Sequence, residues 1–218
     1  MNKPLKISRI HLYIVLLCLI PFWQLCRQII TKNYPNLDFY ILERLQQQRN
    51  WLTDNFATLI YQIGGAHITA IIVAIALGIL IRKRYWQESK ALAFATLGIL
   101  LLIDLILKPL FDRRRPPSPR LVHGLSRESF PSGHSAGNLV LYFYLSFILA
   151  VRYPHLAKYI YGLATIIVLL VGWSSVYTNA HWATDVVAGY VFGYLWLLVS
   201  LAVLRFFHRR SSAGKTQD

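Results

Sequence analysis

Three short segments hold residue types that can attack a phosphate ester: Lys108 to Pro116, Pro131-Ser132-Gly133-His134, and His181 to Asp185. A phosphate dianion leaving water needs charge-assisted hydrogen bonds. Lys108 and the two-pronged guanidinium of Arg115 can supply them, and Pro116 stiffens the chain directly after Arg115. Asp104 lies one helical turn before Lys108, where it can either steer the ammonium or handle substrate and protons. Ser132 reads as a helix N-cap, Gly133 lets backbone approach a ligand, and the first amides of the helix would face an anion with His134 above it. His181 and Asp185 are spaced to share a helix face. A carboxylate on one imidazole nitrogen makes the other a better nucleophile or base.

Each segment also has a plainer reading: a basic stop-transfer flank, a capped helix start, and an interfacial histidine beside an N-terminal helix acid. His134, His181 and Asp185 could instead ligate a cation. Lys108 and several arginines in the same place would repel it and do its work of neutralising phosphate, so neither metal nor cofactor is expected.

The elements that must position these residues are membrane spans. The 218-residue chain is 56% hydrophobic, yet Lys and Arg outnumber Asp and Glu by 23 to 9. A soluble nucleic-acid binder could carry that charge but not the long apolar runs, so no nucleic-acid partner is expected. The fold class expected is all-α, a six-span transmembrane bundle. Its spans fall near 10–30, 63–82, 91–108, 135–151, 159–175 and 186–206, within one domain over 1–210. The basic N-terminus followed by an apolar run lacks a small-x-small cleavage site and reads as an uncleaved first span. Between spans one and two, residues 36–62 read as one or two amphipathic helices, lying at the interface or capping the site. The tail at 211–218 is polar and expected to be disordered. Cys18 and Cys26 would lie about 12 Å apart on one helix, too far for a disulfide. Gly189 and Gly193 form a small-xxx-small face, suited to packing within a monomer or to a homodimer.

With a cytoplasmic N-terminus the inside loops hold thirteen Lys and Arg and the outside ten, six of which cluster between Lys108 and Arg127. Setting that loop aside as functional leaves thirteen against four, a clear inside bias. All three segments then fall on the outer face; the expected localisation is a bacterial plasma membrane, with the site on its periplasmic or extracellular side.

With these residues in hand, the chain resembles the type 2 phosphatidic acid phosphatase superfamily, which also includes the soluble vanadium haloperoxidases. The pattern is a Lys, six residues, then Arg-Pro; then Pro-Ser-Gly-His; then Ser-Arg, five residues, His, three residues, Asp. Lys108, Arg115 and Pro116 match its first part, Pro131 to His134 its second, and Ser174, His181 and Asp185 its third. Ser175 stands where the pattern has Arg. Losing one such donor can cost about 3–4 kcal/mol of transition-state stabilisation, which leaves three alternatives: Arg113, Arg114, Arg120 or Arg127 leans in to replace it, the substrate differs, or activity is weak. The resemblance implies a metal-independent lipid phosphatase. In it His181 attacks phosphorus, Asp185 orients His181, and His134 protonates the leaving oxygen. Lys108, Arg115, Ser132 and the amides of Gly133 and His134 hold the phosphate oxygens. The substrate would be a lipid phosphate or diphosphate whose tail stays in the bilayer. Competing classes are a catalytically weak or silent lipid-phosphate binder, motivated by Ser175, and a lipid phosphotransferase. A channel or transporter is a further alternative, but it leaves the paired histidines unexplained.

Overall fold

The structure is a computed structural model describing residue 20, residues 22–117 and residues 119–214, with side chains to 211. Residues 22–30 are helical. The further helices are α1 (Asn36–Gln47), α2 (Trp51–Ile63), α3 (Ala66–Arg82), α4 (Trp86–Leu101), α5 (Lys108–Phe111), α6 (Gly133–Arg152), α7 (Ala157–Tyr177) and α8 (Ala183–Gly214). A π-helical turn, Leu102–Leu107, joins α4 to α5, so the two run as one element. No β-strand forms among the described residues beyond a single antiparallel bridge between Arg114 and Glu128.

Four stretches are long and apolar enough to cross a bilayer: Trp86–Phe111, Gly133–Arg152, Pro154–Tyr177 and Ala183–Ser211. They correspond to expected spans three to six, each reaching beyond the sequence boundaries. Helix α3 is shorter. It forms with α2 a pair bent by 44°, which would make a fifth span if the pair crosses as one. Most of the expected first span lies outside the described residues. Exposed Ile71, Ile75 and Ile79 on α3, Leu97 and Leu101 on α4, and Leu163, Ile166 and Leu169 on α7 give the bundle an apolar outer surface. The polar tail expected from residue 211 is helical as far as Gly214, because extension adds one hydrogen bond per residue and no breaker intervenes. Residues 215–218 lie outside the described residues.

Helix α6 is the hub, packed along α7 and α8, while α4 packs on both α6 and α8. Gly189 and Gly193 make the α6–α8 approach possible. A Cβ at Gly189 would stand 2.6 Å from the Ser132 carbonyl oxygen, and one at Gly193 2.9 Å from that of Ala136. This small-residue face is therefore filled by α6 within the chain. Residues 36–62 form two helices whose packing fits the cap alternative. Helix α2 lies on α7, where the Tyr177 hydroxyl meets Thr53 Oγ1 at 2.6 Å and donates to Asp54 Oδ1 at 2.8 Å. Asn50 caps α2 reciprocally with Thr53.

Candidate active site

At one end of the bundle the three motif segments meet. Lys108 follows the π turn, and its Nζ donates to Asp104 Oδ1 at 2.5 Å, the one-turn pairing that the spacing predicts. Asp112 then adopts a left-handed conformation, φ 39°, which stops α5 and turns the chain across the helix ends. Ser129 N–H donates to the Arg113 carbonyl at 2.8 Å and fixes the return of this loop. At the start of α6 Ser132 is buried, and its Oγ accepts from Ser135 N–H at 3.3 Å as an N-cap. Ser132 N–H donates to the Asp185 carbonyl at 3.0 Å, tying the start of α6 to α8.

His181 precedes α8 rather than lying on it. Its ring is 2% exposed, and its amide and that of Ala180 both donate to the Ser175 carbonyl at 3.0 and 3.1 Å. His181 Nδ1 lies 3.5 Å from Asp185 Oδ2, a long approach, while Nε2 lies 3.3 Å from Arg115 Nη1. A guanidinium can only donate, so Nε2 presents its lone pair and the proton belongs on Nδ1, toward Asp185. Burial disfavours the charged ring and holds its pKa below the usual histidine value. Arg115 and Lys108 push the same way, and the nearby Asp185 carboxylate partly offsets them. Arg115 also donates to the carbonyls of Ser126 and Ala180, both at 2.6 Å.

A cavity of about 480 Å³ carries Lys108, Arg115, Gly133, His134 and His181 on its polar wall. Its other half is apolar, lined by Ala70, Val73 and Leu77 of α3 and Leu97 and Leu100 of α4. His134 stacks on Tyr61 with ring centroids 4.2 Å apart and planes 17° from parallel, and its buried Nε2 has no hydrogen-bond partner. Asn138 holds the local backbone, donating to the carbonyls of Gly64 and His134, both at 2.8 Å.

Two groups of the expected residues lie off the cavity lining. Ser132 is not among the cavity-lining residues; its hydroxyl oxygen accepts from the Ser135 amide and hydroxyl. None of the four compensating arginines lines the cavity either. Arg113 is buried between Asp38 and Asp185, bonded to them at 2.6 and 2.5 Å. Arg120 donates to the Pro116 carbonyl, and Arg127 lies at the surface 3.6 Å from Asp112. Arg114 is exposed and offers its carbonyl to Trp182 Nε1. Ser175 is fully buried, with its hydroxyl donating to the Val171 carbonyl at 2.8 Å. Sequence reading missed Asp38 and Tyr61. Each sits in an amphipathic segment where an acid near a helix start and an aromatic on an apolar face look ordinary.

The fold and this site together define an integral membrane protein whose helical bundle holds a basic, histidine-lined cavity. The model of the PAP2 superfamily matches residues 89–209, and the chain belongs to that superfamily. Phosphatidylglycerophosphatase B of Bacillus subtilis (strain 168) is 32% identical over 148 residues, 66% of this chain and 71% of the relative. The fold is similar to the crystal structure of the first transmembrane PAP2 type phosphatidylglycerolphosphate phosphatase from Bacillus subtilis. That match has a TM-score of 0.77 and 26% identity over 90% of this chain and 96% of the other. The crystal structure of Aquifex aeolicus LpxE shares the fold with a TM-score of 0.62 and 23% identity, over 76% of this chain and 95% of that one.

Proposed function

We propose that this protein, a lipid phosphate hydrolase of the membrane, works without a metal through a phosphohistidine formed on His181. The observation that carries this reading is the juxtaposition of His134, His181, Lys108 and Arg115 on one cavity whose other half is apolar. The phosphate enters the basic half, Arg115 shifts from His181 Nε2 onto a phosphate oxygen, and Lys108 takes another. His181 Nε2 attacks phosphorus while the bond to the leaving oxygen breaks. That oxygen takes its proton from His134. Asp185 stabilises the positive charge that the phosphorylated ring carries. Water then attacks phosphorus and gives a proton to His134 while the phosphorus–nitrogen bond breaks. Inorganic phosphate leaves and His181 is regenerated.

The apolar half suits one acyl or prenyl tail. Candidate substrates are phosphatidic acid, phosphatidylglycerol phosphate, a prenyl diphosphate such as undecaprenyl diphosphate, and a lipid A phosphate. The relative's name favours phosphatidylglycerol phosphate. The apolar runs support a six-span arrangement in a bacterial plasma membrane, and the positive-residue bias supports a cavity open on the periplasmic or extracellular side, with α1 and α2 capping it. Phosphate release from this panel in detergent, run with chelator and with vanadate, tests the reading. Turnover that survives chelator, falls with vanadate and vanishes in His181→Ala is the expected result. Full activity in His181→Ala refutes the nucleophile, and no turnover on any substrate favours the silent binder suggested by Ser175.

A further inference from the structure

Behind His181 lies a set of buried charges in which Asp38 comes from outside the three motif segments. Arg113, 1% exposed, donates from Nη1 to Asp185 Oδ1 at 2.5 Å and from Nη2 to Asp38 Oδ2 at 2.6 Å. Thr184 locks the other side. Its hydroxyl donates to Asp38 Oδ2 at 2.6 Å and accepts from Arg113 at 2.7 Å, and its amide donates to Asp38 Oδ1 at 2.9 Å. The guanidinium also lies 5.0 Å from the Tyr34 ring centroid and 5.3 Å from that of Trp182.

Stability alone is a poor reason for this arrangement. Desolvating three charges is expensive, and apolar residues of like volume often hold a fold at least as well. The deeply buried residues of α1 are Asp38 and Leu42 alone, so the helix brings a carboxylate inward rather than an apolar face. Asp185 Oδ1 is held by Arg113, while Oδ2 accepts from Trp182 N–H at 3.0 Å and faces His181. With both oxygens engaged, the carboxylate cannot rotate away from the ring.

We propose that Asp38, acting through Arg113, is a positioning residue for hydrolysis: it fixes the Asp185 carboxylate against His181 and shares the cation that would otherwise neutralise it. This rests on the reading of His181 as nucleophile and Asp185 as its partner. The charged and titratable groups facing His181 are Asp185 from α8, Lys108 from α5, Arg115 from the loop and His134 from α6. Tyr61 from α2 faces Arg115, as do Arg120 and Glu128 from the loop. Those facing Asp185 and Asp38 are Arg113 and, for Asp185, His181 and Arg115. Asp38→Asn removes one negative charge and leaves Arg113 wholly to Asp185. Both changes disfavour a positive ring, so they slow formation of the phosphorylated histidine and move its titration to lower pH.

The test is steady-state hydrolysis of radiolabelled phosphatidylglycerol phosphate in detergent by the full chain, with thermal unfolding as the folding control. Asp38→Asn is expected to lower kcat about tenfold or more, with KM within twofold because Asp38 does not line the cavity. The acid limb of kcat/KM should move down in pH relative to wild type on the same substrate. In an Asp185→Asn background the further loss should shrink below twofold, since the partner through which Asp38 acts is gone. Arg113→Lys keeps a cation but lacks the two-pronged bridge. It should lower kcat at least fivefold and serves if Asp38→Asn does not fold. Wild-type kcat in the variant that folds, or an undiminished Asp38→Asn penalty beside Asp185→Asn, overturns the proposal. Activity in His181→Ala would instead overturn the mechanism beneath it.

Discussion

Gly189→Ala tests whether contact between α6 and α8 sets catalytic geometry. The added Cβ would lie 2.6 Å from the Ser132 carbonyl oxygen and 2.9 Å from Ser135 Cβ. Ordinary contact begins near 3.4 Å, so the helices must part by about 0.8 Å. The obstacle is backbone and cannot swing aside. Overpacking of this kind costs about 1–3 kcal/mol, and alanine in a helix interior returns up to about 1 kcal/mol. The net loss of stability is about 0–3 kcal/mol. Catalysis is more sensitive: the displaced backbone carries the Ser132–Asp185 hydrogen bond and the start of the helix that bears His134. A misplacement of about 1 Å can cost on the order of a hundredfold in rate. We expect kcat on phosphatidylglycerol phosphate to fall about ten- to a hundredfold while the unfolding temperature in detergent moves by a few degrees. Gly162→Ala on α7, where an added Cβ meets nothing within 4 Å, is the control and should keep wild-type kcat. Wild-type turnover in Gly189→Ala, or an equal loss in Gly162→Ala, would refute the link between helix spacing and catalysis.

Burial holds the His181 pKa down, so the ring stays neutral and nucleophilic below its ordinary value near 6.5. The enzyme-dependent acid limb of kcat/KM should therefore lie below pH 6.5, and a limb at or above pH 7 would contradict it. Arg115→Lys removes the fork that bonds the carbonyls of Ser126 and Ala180 beside His181; phosphate release should fall at least tenfold, and an unchanged rate would mean that a point charge suffices. Ser175→Arg should lower both unfolding temperature and turnover, because residue 175 is fully buried outside the cavity lining; a rise in turnover would show that the missing cation limits the reaction.

Residue types and spacing carried part of the site because local geometry is short-range. A Lys one turn after an Asp pairs with it even through a π turn, and a Ser before a Gly and a His caps the helix that follows. His181 and Asp185 approach each other although only Asp185 lies on the helix, since the turn before α8 closes a similar distance. Apolar runs likewise located α4, α6, α7 and α8, with ends off by a few residues where nothing local marks a boundary.

What a cation does is another matter. Arg113, Arg114 and Arg115 are adjacent in the chain, yet one is clasped between two buried carboxylates, one is exposed and one lines the cavity. Adjacent side chains point in different directions, and the partner of each is set by elements far away in sequence. Asp38 reaches the site from 75 residues before Arg113, and Tyr61 is brought over His134 by the packing of α2. The sequence by itself determined the apolar helices and the chemical inventory, because both follow from composition and from contacts within a turn. Only the tertiary structure decided which charges face the cavity and which stand behind the nucleophile, because burial and pairing depend on helices meeting across the bundle.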